Sequence, residues 1–151
     1  MAELVDALVS NTSVFTDMSV RFRLEVQMSN KRPSVKWLAQ PEEHDYPAAE
    51  SYLRLICNEK KASSFVKRLR HTSVVEFKSK DIFRASGLSL LGVSNHHVRK
   101  NIKKISNGKA LSPILLVRDE INGKVVIADG YHRMCAAYEY DEDIMLPCKI
   151  I

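Results

Sequence analysis

An α+β fold, a small mixed sheet with flanking helices preceded by a strand and a helical hairpin, is predicted by three features of the sequence. Two short apolar runs, Pro113–Val117 (PILLV) and Lys124–Ala128 (KVVIA), flank an Asn122-Gly123 turn signal, which predicts a β-hairpin. From His71 onward, apolar runs alternate with stretches of helical period. Ahead of them, Met18–Met28 sets Val20, Phe22, Leu24, Val26 and Met28 in alternation with Arg21, Arg23, Glu25 and Gln27, the pattern of a strand with one wet face.

The 151 residues suit one compact domain with a small helical appendage and exclude two large ones. With 45% hydrophobic and 27% charged residues and only five Gly and five Pro, the composition is globular; disordered and collagenous chains are excluded. Cys57, Cys135 and Cys148 are odd in number and have no metal-ligand spacing, so reduced thiols in a cytoplasm are expected rather than a disulfide framework or a structural zinc. The start, MAELVDALVS, lacks the pattern of a signal peptide, and no apolar run approaches the ~18 residues of a membrane span, so no membrane partner is expected. The net charge of +5 leans toward anionic partners. Between Asp81 and Asp119 there is no acidic residue, whereas Arg84, Arg99, Lys100, Lys103, Lys104, Lys109 and Arg118 fall there. That interval is either a solvated helix face or an anion-facing surface.

Residues 30–45, with Pro33, Trp37 and Pro41 and no periodicity, read as a connector whose Trp37 docks on the body. Pro47 suits the first position of a helix over Ala48–Asn58, and Lys61–Arg70 gives a second helix with Phe65, Val66 and Leu69 on one side. Ser73–Phe77 (SVVEF) reads as a short strand, and Ser79 as the cap of a helix over Lys80–Ser86 that stops at Gly87. Asn95 caps a helix over His96–Ser106 with Val98, Ile102 and Ile105 as its buried stripe; His97, Lys100 and Lys104 share another face. Tyr131–Tyr140 reads as a helix and Ile144–Ile151 as a last strand, with Pro147 placing it at an edge or a bulge. Strand Met18–Met28 and the helical hairpin form either an extra layer or a partner or homodimer surface.

The sharpest local feature is Ile127–Arg133, IADGYHR, where an apolar strand meets an Asp-Gly turn and becomes a helix. Free N–H groups and about half a positive charge from the helix dipole gather at such a junction and favour phosphate. Gly130 permits close backbone approach, Arg133 has a fork for two phosphate oxygens, and His132 donates a hydrogen bond or takes a proton near neutral pH. Asp129 stands at the strand tip, placed to hold a metal-bound phosphate or act as base toward a hydroxyl, or simply to cap the turn. Arg133 has an alternative role in pairing with the acidic run Glu139, Asp141, Glu142 and Asp143. His96 and His97 diverge by about 100° on a helix, so no metal site is expected from them.

The order of short strand, helix, PILLV strand, hairpin, VVIADGYHR helix and LPCKII strand resembles the ParB N-terminal/sulfiredoxin-like superfamily over residues 72–151, leaving residues 1–71 as an N-terminal extension. Gly130, His132, Arg133, Ala136-Ala137-Tyr138 and Leu146-Pro147 stand where sulfiredoxins carry a glycine-rich segment, a Cys-His-Arg, an Ala-Ala-Tyr helix and an Ile-Pro strand opening. Tyr131 occupies the nucleophile's place, and a phenol with an unperturbed pKa near ~10 does not replace a thiolate, which speaks against sulfiredoxin activity. Cys135 is expected to be a small core residue. The Gly-Glu pair and the helix-turn-helix of partition proteins are missing, so a sliding DNA clamp is not expected. The Asp-Gly-His-His-Arg motif of the ParB-like free serine kinases differs from DGYHR only at Tyr131.

That resemblance implies a nucleotide- or phosphate-binding protein, a phosphotransferase or nucleotide hydrolase using ATP, ADP or CTP with Mg2+. It implies Asp129 as the catalytic residue, with Gly130, His132, Arg133, His97, Lys100 and Lys104 binding phosphate. Glu76 and Asp81 are the candidates for a second carboxylate. The rival is a non-catalytic regulatory or DNA-associated ParB-like module in which Arg84 to Arg118 contact nucleic-acid phosphates; a third possibility is an interaction protein that keeps the fold for its surface.

Overall fold

A run such as PILLV, apolar at every position, makes sense only in a strand covered on both faces, and the fold is built around that condition. The structure, a computed structural model, describes residues 34–151; the strand expected over Met18–Met28 lies outside them. The described elements are α1 (Asp45–Leu53), α2 (Glu59–His71), β1 (Val75–Lys78), α3 (Ser79–Ser86), α4 (His96–Ser106), β2 (Ile114–Asp119), β3 (Lys124–Asp129), α5 (Tyr131–Tyr140) and β4 (Met145–Ile150). Among the described residues the architecture is α+β, with a four-stranded mixed sheet and five helices.

The sheet order is β1-β4-β2-β3, with β2 and β4 parallel and the two outer pairs antiparallel. Alternate residues of β2 leave on opposite faces. Ile114 and Leu116 join Ile127, Leu146 and Cys148 under α3, α4 and α5, with Ile82, Val98, Ile105 and Met134 among the buried contacts. Leu115 and Val117 join Ala128 under the hairpin, where Tyr46, Ala49, Leu53, Ala62, Val66 and Leu69 are buried. The hairpin is therefore an extra layer that closes the second face. Lys149 is also buried there: its ammonium donates to the Arg70 carbonyl at 3.1 Å and lies 5.8 Å above the Tyr46 ring.

Local chemistry sets the boundaries. The Asn95 side chain accepts from the amides of His97 and Val98 and starts α4, while Gly87, at φ 65°, ends α3. Trp37 bridges to Leu111 through Leu38 N–H to Leu111 O and Leu111 N–H to Lys36 O, both 2.8 Å, so the connector docks as its tryptophan suggested. Three expectations are corrected. The first hairpin helix begins at Asp45, before Pro47, and ends at Leu53, with residues 54–57 in the turn to α2. Lys78 holds the cap position of α3, and Ser79 is its buried first residue. β4 is an interior strand, with Pro147 opposite Glu76 of β1; parallel pairing to β2 begins only at Cys148, beyond the proline, and the register shift falls in β2 between Leu115 and Leu116.

Because Leu69 is fully buried between α2 and the sheet, Leu69→Ala should lower the unfolding free energy by about 2–5 kcal/mol in urea, in a single transition. A loss below ~1 kcal/mol would mean that the hairpin is peripheral to the core.

Candidate functional site

At one end of the sheet the tip of β3, the start of α5, one face of α4, Ala110 and Ser112 ahead of β2 and the approach to α1 enclose a cleft of about 330 Å³. The seven residues that the sequence suggested for catalysis and phosphate binding all line it. His97, Lys100 and Lys104 come from α4, and Asp129, Gly130, His132 and Arg133 come from the strand-to-helix turn. They meet because α4 and α5 pack side by side, burying Val98 and Ile105 against Met134 and its neighbours. The polar face of α4 is thereby turned toward the start of α5. His97 and His132 lie with ring centroids 4.8 Å apart, whereas His96 is not part of the cleft wall.

Gly130 caps α5 at φ 100°, ψ 12°, a left-handed conformation that favours glycine. A side chain there would also meet matter on both sides, since a Cβ would come 2.6 Å from Ile114 Cδ1 and 3.1 Å from an Arg133 guanidinium nitrogen. No side chain caps the amides of the first turn of α5, so the helix presents its positive end to the cleft.

Arg133 is held differently from the sequence expectation. It does not pair with Glu139, Asp141, Glu142 or Asp143. Its Nη1 donates to Asp45 Oδ1 at 3.0 Å, and its Nη2 donates to Asp129 Oδ2 and, at 3.5 Å, to the Pro113 carbonyl. Asp45 is 1% exposed; its Oδ2 also accepts from the Ser112 hydroxyl and, at 3.1 Å, from the Glu42 amide. The guanidinium is therefore spent between two carboxylates and holds the tip of β3 to the start of α1.

The two acids are driven apart. Burial works against ionisation of Asp45, but the Ser112 hydroxyl and Arg133 outweigh it and hold this carboxyl below its ordinary range. Burial pushes Asp129 up, and the neighbouring Asp45 charge adds to that despite Arg133. Burial also lowers His132, with the facing His97 ring contributing, so His132 is neutral near pH 7. Tyr131 donates its phenol O–H to the Ser89 carbonyl and burial raises its pKa, which leaves no activated oxygen at this position. Cys135 is fully buried in the core.

Glu76 and Asp81, the candidates for a second carboxylate, lie elsewhere. Glu76 is on edge strand β1, and Asp81 pairs with Arg84 at 3.0 Å and lines a separate apolar groove with Arg118. The carboxylate that shares Arg133 with Asp129 is that of Asp45, which sequence inspection missed with Glu42, His44 and Ser112. The signal available was PEEHDYP, three acids and a histidine between two prolines at a helix start. Glu42, His44 and Asp45 offer ligand atoms within 4.8 Å of one another, but both Asp45 oxygens are already engaged. A Mg2+ ion, which keeps several waters and takes one or two protein carboxylates beside substrate phosphates, fits here through Glu42, whose half-exposed carboxylate stands on the cleft wall.

No family model, curated protein or solved structure matches the chain. No described helix is long and apolar enough to cross a membrane.

Breaking the buried pair by Asp45→Asn should cost roughly 3–5 kcal/mol, and Arg133→Ala should destabilise the fold as well, since it leaves two carboxylates facing each other. Carboxyl NMR titration should show Asp129 protonating at higher pH than Asp45. On lowering the pH, stability gained from Asp45 is lost last, as its depressed pKa is passed, whereas protonation of Asp129 relieves an unfavourable charge. The reverse order of titration would contradict this electrostatic assignment.

Proposed function

We propose that the chain is a ParB/sulfiredoxin-like protein whose cleft binds a nucleotide or related phosphate ligand and supports phosphoryl chemistry, as a phosphotransferase or nucleotide hydrolase. The observation that carries this is convergence: seven residues chosen from two separate stretches of sequence line one cleft at the uncapped start of a helix. Its volume suits a small polar ligand, and its α4 wall bears ammonium groups with no carboxylate partner among the described residues.

Each side chain then has a task. Lys100 and Lys104 neutralise phosphate oxygens, and the first-turn amides of α5 with His132 donate to them. Arg133, whose guanidinium is committed to Asp45 and Asp129, positions Asp129 rather than gripping the ligand. Asp129, with its raised pKa, takes the proton of an attacking hydroxyl or water; two carboxyl groups whose surroundings push their pKa values apart form a familiar acid/base arrangement. Magnesium, when bound at Glu42, supplies neutralisation of the phosphate charge.

Calorimetry with ADP and ATP, with and without Mg2+, tests this. The Lys100→Ala, Lys104→Ala double variant should bind at least tenfold more weakly, at about 1.5 kcal/mol per charge-assisted contact, with the fold intact. Affinity should rise as the pH falls through the imidazole range, because a bound anion favours protonation of His132. Asp129→Asn should keep binding and lose phosphoryl transfer. Equal affinity of wild type and double variant, or no binding by either, would reject the proposal.

A further inference from the structure

The cleft does not account for the whole cationic surface of α4. At 100° per residue, the cleft-facing Lys104 and Lys100 are followed around the helix by His96, Lys103 and Arg99, all exposed. No acid interrupts this arc: α4 contains none, and among the described residues none of its lysines forms an ion pair. The arc continues past the helix end, where Lys109 follows Gly108 and Lys36 brings its ammonium to within 3.7 Å of where a Gly108 Cβ would stand. By contrast, Arg54, Arg70, Lys78, Lys80 and Arg84 all pair with carboxylates. Two of the lysines complement the C-terminal end of the α4 dipole. That role does not require Lys100, Lys109 or Lys36. Over its eleven residues α4 runs about 16 Å, longer than one phosphate group needs.

We infer that the phosphate entering the cleft is the terminal phosphate of a nucleic-acid strand, whose following phosphodiesters run out along the exposed lysine arc of α4. This deepens the proposed function and rests on it, because the cleft supplies the end-recognition and the arc supplies the chain contacts. A free nucleotide would use only the cleft; a strand with a phosphorylated end uses both. Repeated, uncompensated lysines read phosphate without reading base sequence, so no sequence preference is expected.

The test uses the full chain and fluorescently labelled oligothymidylate of about ten nucleotides, carrying either a 5′- or a 3′-phosphate, beside the same strand with hydroxyl ends and ADP as the small ligand. One phosphorylated strand should bind at least tenfold tighter than both the hydroxyl-ended strand and ADP. Lys103→Ala with Lys109→Ala, both outside the cleft, should reduce the salt slope of strand binding by about 1.4, at ~0.7 per lost contact on a single strand, and leave ADP affinity unchanged. If ADP binds and the phosphorylated strands bind no more tightly, the inference fails while the cleft proposal stands. If strands bind equally well with and without a terminal phosphate, end-recognition is wrong. If neither ADP nor any strand binds, both fall together.

Discussion

A partly buried guanidinium between two carboxylates holds this molecule's layers in register at the end where the cleft lies. Asp45 belongs to the hairpin, Asp129 to the tip of β3 and Arg133 to the first turn of α5, so their ion pairs join the layer on one sheet face to the helix on the other. Removing such charges from water costs several kcal/mol per ion unless their partners are well placed. Here the Ser112 hydroxyl, the Glu42 amide and the Pro113 carbonyl supply further partners, while the buried Nε of Arg133 is left without one. The triad is consequently a device of position more than of net stability.

This arrangement also divides the electrostatics. Arg133 is neutralised where it sits, so the positive charge on the cleft wall is that of Lys100, Lys104 and the dipole of α5. α4 contains no acid, and among the described residues those lysines form no ion pair. The acid that stays ionised, Asp45, lies behind the wall, while the acid with the raised pKa, Asp129, lines the cleft. Gly130 makes the geometry possible, since any side chain would strike Ile114 and displace Arg133.

Much of the fold was legible because its signals are local. The bounds of α4 and α5 follow from Asn95 and from the Asp-Gly turn, and the double-sided burial of β2 follows from PILLV. The interior place of β4 was not legible: Pro147 signals an edge, and only the start of parallel pairing at Cys148 reconciles the proline with a neighbour on each side. The site was legible in part for the same reason. His97, Lys100 and Lys104 are related by helical spacing, and Asp129 to Arg133 by adjacency. Asp45 reaches Arg133 across 88 positions, and no periodicity connects residues that meet only because a hairpin covers the far face of the sheet.

The most direct measurement is a two-dimensional amide NMR titration of the full chain with ADP, with and without Mg2+. Saturable shifts should gather at the amides of Gly130 to Arg133 and along the His97–Lys104 face of α4, with the imidazoles of His97 and His132 moving together. Shifts scattered over the surface or absent from these residues would contradict the account.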